Sequence, residues 1–377
     1  MIRIRNKSDC CGCSTCVNIC PKRCIDFVED EEGFLYPRVN LKICNNCKLC
    51  EKVCPVIVSR NISKKASPIV FAAKHRDMEI LRKSSSGGMF HVFASWVIDQ
   101  GGIVYGARYD EDFRIIHSGA KTKDEFLKFC GSKYVQSDLG NTFVEIKKQL
   151  VNGQMVLFTG MPCQVAGLKL FLRKEYKNLY TVDLICHGVA SPKVFADYIL
   201  HVQQKKQLSG INMRWKGNWE RSVMKLYYTD GSNKVDMTWR VLYGKALVKR
   251  PACDQCEFTH FNRMGDVSIA DYWGIQKVHP EFYDPRGVSL LLVNSSKGEI
   301  LLEGIRNKVD LLLSDKDKCL QPRLSCPSKR SPYRDQFWKD YSVMDFQSLV
   351  KKYYSHTDRV IFFCKKIAKS LVNKLIR

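Results

Sequence analysis

A doubled cysteine motif constrains the fold of this 377-residue chain more than any other feature. The motif, Cys-x2-Cys-x2-Cys-x3-Cys-Pro, begins at Cys10 and again at Cys44. A thiolate at every third residue lets a tight loop hold three corners of a [4Fe-4S] cluster, and the fourth Cys ligates the other cluster in two-cluster ferredoxins. We therefore predict one cluster on Cys10, Cys13, Cys16 and Cys54, and a second on Cys44, Cys47, Cys50 and Cys20.

The alternatives to this ferredoxin-type region are a pair of zinc knuckles or a disulfide knot. Zinc sites usually combine two Cys pairs, or Cys with His, rather than three Cys at this spacing followed by Cys-Pro. Both alternatives are therefore disfavoured. Two further Cys, Cys11 and Cys24, lie outside the motif. We interpret both as packing residues, because an unliganded Cys behaves as a small buried hydrophobe.

The chain has 18 Cys and a formal charge of +23, and both numbers bear on its cellular compartment and its binding partners. The first residues lack the apolar segment of a signal peptide, and no apolar run approaches the roughly 18–20 residues that span a bilayer. We therefore predict a cytoplasmic protein, and so many thiols in that compartment indicate metal or redox chemistry. The charge alone suggests nucleic acid or an anionic membrane, but bound iron–sulfur clusters are anionic and would compensate part of it.

The pattern changes to mixed α/β after a polar stretch that is typical of a linker. We predict an α+β or mixed α/β fold with a small two-cluster ferredoxin domain, a mixed α/β catalytic domain that binds flavin and iron–sulfur, and a helical C-terminal tail. The predicted boundaries are 1–62 for the ferredoxin-type domain, 68–152 and 153–320 for the two regions of the catalytic domain, and 321–377 for a basic tail.

Four later Cys suggest a third metal site. Cys163 follows an apolar strand and Cys186 ends the next one, where ligand sites of α/β sheets gather. Cys253 and Cys256 form a C-x2-C pair. If the four thiols converge, they would hold a third [4Fe-4S] cluster. Alternatives remain, because an isolated Cys is more often a small buried residue, and a C-x2-C pair also binds zinc or forms a redox disulfide.

Beyond these Cys, the chain resembles the coenzyme F420 hydrogenase/dehydrogenase beta-subunit family from the doubled motif to about residue 340. The resemblance rests on the segments 85–88 (SSGG), 131–137 (GSKYVQS), 159–164 (TGMPCQ), 186–188 (CHG), 250–256 (RPxCxxC) and 266–274 (DxxxADYWG). It implies an iron–sulfur flavoprotein with FAD, a [4Fe-4S] cluster near the flavin, and two-electron chemistry there. Stand-alone members occur in bacterial polysaccharide gene neighbourhoods, which suggests a carbohydrate context.

We predict flavin contacts at Ser85, Ser86, Gly87, Gly88, Lys133, Tyr134, Gly160 and Asp271. The small residues at 85–88 precede a helix, where backbone N–H groups and the helix dipole can meet a phosphate. A Ser N-cap with a Gly turn explains them equally well. The lysine and the tyrosine suit the anionic and aromatic parts of a flavin, although a surface pair is the alternative. No G-x-G-x-x-G follows a strand and no Walker A motif occurs, so neither a Rossmann nicotinamide site nor an ATP site is indicated.

His187 is the candidate catalytic residue, because it adjoins Cys186 and an imidazole there could donate protons during reduction of the flavin or substrate. A satisfied structural His is the alternative. The aromatic and basic stretch 214–219 could stack a base or a sugar. We interpret it instead as a strand with half-buried tryptophans.

These features predict an oxidoreductase. Electrons from reduced ferredoxin, or another carrier, would pass through the clusters and FAD to an organic acceptor, either a deazaflavin such as coenzyme F420 or a small molecule. The first alternative is a non-catalytic electron-transfer subunit of a partner enzyme. The second is a nucleic-acid-binding iron–sulfur protein, which ranks last because the basic residues are dispersed and no nucleic-acid motif occurs; we expect no nucleic-acid partner.

The C-terminal segment 359–377 contains no acidic residue and has an apolar stripe at helical spacing with lysines on the other side. This pattern predicts a basic amphipathic helix that could lie in an anionic membrane interface, giving peripheral contact with the inner face of the membrane. The interpretation we favour is a terminal helix that packs its stripe on the domain.

Overall fold

The computed structural model describes residues 1–58, 67–216 and 223–354. The N-terminal ferredoxin-type domain consists of short helices around one antiparallel hairpin, in which Ile25 lies opposite Val39. The helices that follow the two cysteine loops begin at equivalent left-handed residues, Ser14 and Lys48. The sequence repeat is therefore also a structural repeat. Its elements are α1 Thr15–Ile19, β1 Ile25–Glu29, β2 Leu35–Val39, α2 Leu49–Lys52 and α3 Pro55–Val58.

An eight-stranded mixed sheet forms the centre of the larger part. Its strands are β3 Ile69–His75, β4 Ile103–Tyr109, β5 Ile115–Ala120, β6 Val156–Gly160, β7 Leu179–Leu184, β11 Val267–Asp271, β12 Ser289–Val293 and β13 Val309–Ser314. They lie in the order β13-β3-β12-β11-β7-β6-β4-β5. The central strands β4, β6, β7 and β11 run parallel, and the outer pairings are antiparallel.

Helices cover both faces of this sheet, because its parallel strands are apolar on both sides. On β6, Leu157 packs in one core with Phe93 of one helix, whereas Val156 and Phe158 pack in the opposite core with Phe143 of another. The helices of this part are α4 Met78–Lys83, α5 Met89–Asp99, α6 Lys123–Leu127, α7 Thr142–Val151, α8 Pro162–Leu172, α9 Pro192–Gln203, α11 Ile275–Val278, α12 Ser296–Ile305 and α13 Lys316–Cys319.

A second, three-stranded sheet and three helices enclose a further core around Trp239 and Phe337, both fully buried. Its elements are β8 Leu208–Trp215, β9 Val223–Tyr228, β10 Asn233–Val235, α10 Thr238–Gly244, α14 Arg334–Tyr341 and α15 Phe346–Tyr353. The described part of the predicted 321–377 tail therefore contributes to this core. The predicted amphipathic helix at 359–377 lies outside the described residues, and none of the helices described here is long and apolar enough to cross a membrane.

The ferredoxin-type domain packs directly on the α/β part. A Cβ at Gly167 of α8 would lie 2.4 Å from the Thr15 hydroxyl and 3.3 Å from the Cys13 thiol, so only glycine permits this approach of α1. The Ser191 hydroxyl at the start of α9 donates to the backbone carbonyl of Glu32 at 2.6 Å. The fold confirms the predicted mixed α/β architecture with an N-terminal ferredoxin-like domain.

Candidate iron–sulfur and flavin site

The first predicted ligand set lies on one loop and one distant turn. The loop bends through Gly12, whose φ is +70°. Burial, followed by the neighbouring thiols of Cys13, Cys10 and Cys54, raises the pKa of Cys16 well above its ordinary value. The structure thus brings together the four thiols predicted for the first cluster, three from one half of the repeat and one from the other.

The second predicted ligand set surrounds a cavity. The cavity wall carries the sulfur-bearing residues Cys20, Cys44, Cys47 and Cys50, and much of the rest of it is apolar. The backbone N–H of Ile2 donates to the Cys50 sulfur at 3.2 Å. Four thiols, an apolar wall and N–H donors aimed at sulfur are the donor set of a [4Fe-4S] cluster, whose potential such hydrogen bonds tune.

Cys24 is a fifth thiol beside this cavity. It is buried, and its sulfur lies 3.4 Å from that of Cys20. Burial raises its pKa to about 12, and the thiols of Cys20 and Cys44 add to the shift. A neutral thiol here can donate its S–H to a ligand sulfur, so the residue interpreted from sequence as packing also contacts a predicted ligand.

The four later Cys converge at the ends of neighbouring parallel strands. Cys163 lies at the start of α8 just beyond β6, Cys186 follows β7, and Cys253 and Cys256 belong to the short 3₁₀ helix Pro251–Gln255 and the residue after it. The largest influence on the pKa of Cys163 is the neighbouring thiol of Cys11, which lowers it, but burial and the thiols of Cys256 and Cys186 raise the pKa overall. Burial and then Cys253 raise the pKa of Cys186 to about 12. The four thiols are thus mutual neighbours.

A buried ion pair fixes the loop that follows Cys256. The Arg263 guanidinium lies 3.0 Å from the carboxylate of Asp183 in β7, and neither side chain is more than 1% exposed. Arg263 also donates to the carbonyls of Leu184 at 2.7 Å and Phe258 at 3.0 Å. These bonds tie the loop to the strand end that precedes Cys186.

Cys11 lies between the first and the later thiol sets. The largest influences on its pKa are the neighbouring thiols of Cys13, a predicted ligand of the first cluster, which lowers it, and of Cys163 in the later set, which raises it. Together with the contact of Gly167 with Cys13, this places the two sets side by side. The sequence indicated only a packing residue at this position.

Sequence reasoning assigned no role to Arg250, which the structure buries completely between the same two sets. Its guanidinium donates to the Cys10 carbonyl at 2.7 Å, to the Gln136 side-chain oxygen at 2.8 Å and to the Leu35 carbonyl at 3.0 Å. Its own carbonyl accepts from the N–H of Cys253 at 2.9 Å. The only sequence signal was its place at the start of the 250–256 segment.

The predicted phosphate-binding loop at 85–88 lies against the sheet before α5. The N–H of Gly87 donates to the Ser289 hydroxyl at 2.9 Å, and the Ser85 hydroxyl accepts from the N–H of Ser132 at 3.2 Å. The Ser86 hydroxyl donates to a carbonyl of the neighbouring strand. Gly88 begins α5 with a φ of +86°, and no described side chain caps this helix. The N–H groups of its first turn are therefore the donors suited to a phosphate.

Two basic residues of β8 and its end face this loop. Lys216 donates to the Ser86 carbonyl at 3.2 Å, and burial lowers its pKa to about 8. Arg214 pairs with Asp271 at 2.7 Å, both side chains being about nine-tenths buried. The Arg214 guanidinium also lies 5.9 Å from the centre of the Trp273 ring. The sequence predicted a strand with half-buried tryptophans over 214–219. The strand β8 ends at Trp215, which is 38% exposed, and residues 217–219 lie outside the described residues. The structure adds that the cations of this segment contact the predicted flavin segments.

Tyr134 and His187 are also close enough to Arg214 for its charge to influence their pKa values. Tyr134 stacks on Tyr243 at 4.9 Å, and the Tyr243 hydroxyl donates to the carbonyl of Gly188 at 2.9 Å. Burial, followed by nearby cations, lowers the pKa of His187 to about 4, so its ring is neutral near pH 7. This neutral imidazole carries a single N–H proton.

Two of the predicted flavin residues are directed elsewhere. The Lys133 ammonium donates to the carbonyls of Phe129, Cys130 and Gly131 at 3.1–3.2 Å, and burial lowers its pKa to about 8. Gly160 ends β6 beside the Cys163 turn. Flavin contacts at Lys133 and Gly160 stay predictions.

The described residues contain no three His, Cys, Asp or Glu side chains close enough to hold one metal ion. A cubane cluster separates its ligand sulfurs by the width of the cluster, so a thiol set for such a cluster is wider than a single-ion site. The thiol sets described above fit a [4Fe-4S] cluster rather than a single metal ion.

Comparison with known proteins defines the class of this chain. Residues 9–58 match the 4Fe-4S dicluster domain, and residues 153–318 match the family that describes the C terminus of the coenzyme F420 hydrogenase/dehydrogenase beta subunit. The chain thus combines a 4Fe-4S dicluster region with a region similar to that C terminus, which supports electron transfer of the iron–sulfur oxidoreductase type. The resemblance to the coenzyme F420 hydrogenase/dehydrogenase beta-subunit family is confirmed.

Two curated relatives and one solved structure resemble this chain over different shares of its length. The "Coenzyme F420-dependent sulfite reductase" of Methanocaldococcus jannaschii is 23% identical over 367 residues, which covers 91% of this chain and 54% of that protein. The chain therefore spans about half the length of this relative. An uncharacterized ferredoxin of the same organism is 36% identical over 52 residues, covering 14% of this chain and 66% of that protein. A solved chain of the F420-reducing [NiFe] hydrogenase complex from Methanosarcina barkeri has a TM-score of 0.48 and 17% identity, covering 80% of this chain and 92% of that one.

Proposed function

We propose that this chain is an iron–sulfur flavoprotein that accepts electrons singly from a protein carrier and delivers them in pairs to an organic acceptor. One observation carries the proposal: the twelve predicted thiol ligands form three adjoining sets, and the last set lies next to the segments predicted to bind flavin. Cys11 and Arg250 join the first set to the last, and His187 joins Cys186 to the group around Arg214.

The residues around Arg214 fit a bound FAD. The uncapped start of α5 and the small residues before it suit the pyrophosphate, and Lys216 adds positive charge beside them. Tyr134 and Trp273 offer aromatic faces. A flavin supplies the conversion between one-electron and two-electron transfer, while the protein sets its position and electrostatics.

The residues of the chain itself would perform three tasks. Arg250 holds the cysteine loop of the ferredoxin-type domain against the later thiol set. Arg263 fixes the Cys256 loop against β7. His187, with a neutral ring, would hold a proton beside Cys186 that it could donate during reduction of the flavin or the acceptor.

The acceptor we propose is a deazaflavin such as coenzyme F420, and a small molecule of polysaccharide biosynthesis is the alternative. The proposal is supported by the relative whose printed name is F420-dependent. That relative is about twice as long as the part shared with this chain, so its sulfite chemistry is not transferred here.

A second candidate function is a non-catalytic electron-transfer subunit. The same length difference favours it, because it shows that the shared part can be attached to a further region in a longer protein. The two candidates differ in whether the purified chain alone reduces or oxidises an acceptor.

Anaerobic purification with quantified iron, sulfide and flavin tests the proposal. Three four-iron clusters predict about 12 Fe per chain together with one FAD. A content of about 8 Fe in the fully reconstituted protein would remove the third cluster from the proposal. Turnover of coenzyme F420 by the isolated chain with a chemical reductant such as reduced viologen distinguishes the enzyme from the subunit.

A matched pair of variants locates the chemistry. Cys253→Ala should lose about 4 Fe and slow flavin reduction by the carrier at least tenfold. Cys326→Ala, at an exposed thiol outside the predicted sets, should retain the full iron content and rate. Equal behaviour of the two variants would contradict the assignment of the later thiol set.

A further inference from the structure

The charged side chains of the ferredoxin-type domain are segregated. Four exposed cations, Lys22, Arg23, Lys42 and Lys48, surround the cavity of the second ligand set or lie on the turns that lead into it. We call these four residues the basic rim. The acidic run 29–32 lies at the far end of the β1–β2 hairpin, where Glu32 is paired with Arg334.

Two carboxylates lie on the elements next to the basic rim. Asp26 stands directly opposite Arg38 in the hairpin, and Glu51 lies 3.0 Å from the backbone nitrogen of Met1. Within the described ranges, no carboxylate lies within 4.0 Å of any cation of the basic rim. The rim therefore presents net positive charge to the solvent.

The turn that carries Lys42 also exposes two apolar side chains, and a predicted ligand is exposed shortly after it in sequence. Leu41 and Ile43 are 63% and 50% exposed, and Cys47 is exposed between them and Lys48 in sequence. The later thiol set lies beside the flavin segments, and the first set contacts the later set through Cys11. In this order of contacts, the second set is the farthest from the flavin segments. Electron transfer slows steeply with distance, so a donor must dock where a ligand reaches the surface.

We propose that the basic rim, with the exposed apolar side chains beside Lys42, docks a small acidic one-electron carrier protein, whose carboxylates surround its own exposed cofactor. This inference rests on the proposed function and names the partner of its outermost cluster. Complementary charge raises the association rate of such transient complexes and orients them, while a small apolar contact area keeps the contact brief. Cations at the rim without carboxylate partners supply that complementarity.

The test compares two double variants of the full chain with the same change in charge. Lys22→Glu with Lys48→Glu reverses half of the basic rim. Lys148→Glu with Lys205→Glu alters exposed lysines of α7 and of the segment after α9, away from this surface. Stopped-flow reduction of the N-terminal clusters by a reduced acidic ferredoxin is measured at 50 and 300 mM salt, with reduced viologen as a small reductant.

In the wild type, the second-order rate with ferredoxin should fall about tenfold or more as salt rises. The rim variant should be about 10- to 100-fold slower at 50 mM salt and nearly insensitive to salt, with an unchanged viologen rate. The control variant should stay within about threefold of wild type. Equal ferredoxin rates in the two variants would overturn the docking surface.

Two further measurements distinguish loss of a cluster and binding of nucleic acid from loss of carrier docking. Iron content is measured for each variant, and if the reversal variant loses a cluster, Lys22→Gln with Lys48→Gln replaces it and should give a smaller slowing of the same sign. If the rim variant loses affinity for an oligonucleotide while its ferredoxin rate is unchanged, the surface binds nucleic acid and the proposal is wrong. Because cluster reduction needs no acceptor, failure of acceptor turnover alone would contradict only the proposed function.

Discussion

The buried ion pair between Glu32 and Arg334 should control how firmly the ferredoxin-type domain docks. Arg334 donates to one carboxylate oxygen of Glu32 at 2.9 Å and to the other as well, and also to the Lys249 carbonyl at 3.0 Å. The side chains are 4% and 9% exposed. Arg334→Met would leave the Glu32 charge buried without its partner, which costs about 3–5 kcal/mol.

The suitable assay is native-state hydrogen exchange of the β1–β2 hairpin. Unfolding of a chain with two domains and bound clusters is not a two-state process, so a single free energy of unfolding would be ill-defined. Exchange reports the local opening by which the domain undocks. A loss of about 3–5 kcal/mol corresponds to exchange that is roughly a hundred- to several-thousand-fold faster.

The control is the double variant Glu32→Gln with Arg334→Met. Removing both charges abolishes the unpaired buried carboxylate, so its hairpin should exchange more slowly than that of Arg334→Met alone. Exchange in Arg334→Met within about threefold of wild type would refute the reasoning. Strictly additive effects of the two substitutions would do so as well, because the side chains would then not be coupled.

Three further predictions concern other parts of the site. Gly12→Ala would place a Cβ 2.4 Å from a side-chain nitrogen of Gln136, so iron loss to a chelator should be faster than in Gly101→Ala, where φ is also positive but the space is open. Cys186→Ala and Cys253→Ala should lose the same spectroscopic component, and two different losses would show that these thiols do not share a site. Burial lowers the pKa of His117 to about 4 from 6.5, so the locally opened chain binds its proton more readily. Opening of β5 should therefore become easier as pH drops from 6.5 toward 4. Amide protection factors of β5, measured by hydrogen exchange at pH 7 and 5, should fall less in His117→Asn than in the wild type.

The sequence by itself determined the features that depend only on residues close together along the chain. The spacing of the doubled motif specified which Cys share a loop, because three ligands at every third residue can wrap one cluster within a single turn of chain. The exchange of the fourth ligand between halves stays a prediction from the two-cluster ferredoxin pattern, in which Cys20 and Cys54 hold equivalent positions. Apolar strands such as Val156–Gly160 were identifiable because a parallel strand buried on both faces needs no polar alternation.

The tertiary structure decided which distant groups meet. Nothing in the spacing of Cys11 or Arg250 indicated that docking of the ferredoxin-type domain would place them between two thiol sets. Lys133 shows the converse: the resemblance directed it toward a flavin, yet its ammonium is held by three carbonyls of its own turn. Contacts of this kind depend on where separate elements come to rest. A buried charge must find partners wherever the packed chain provides them, and only the folded arrangement fixes which ones it reaches.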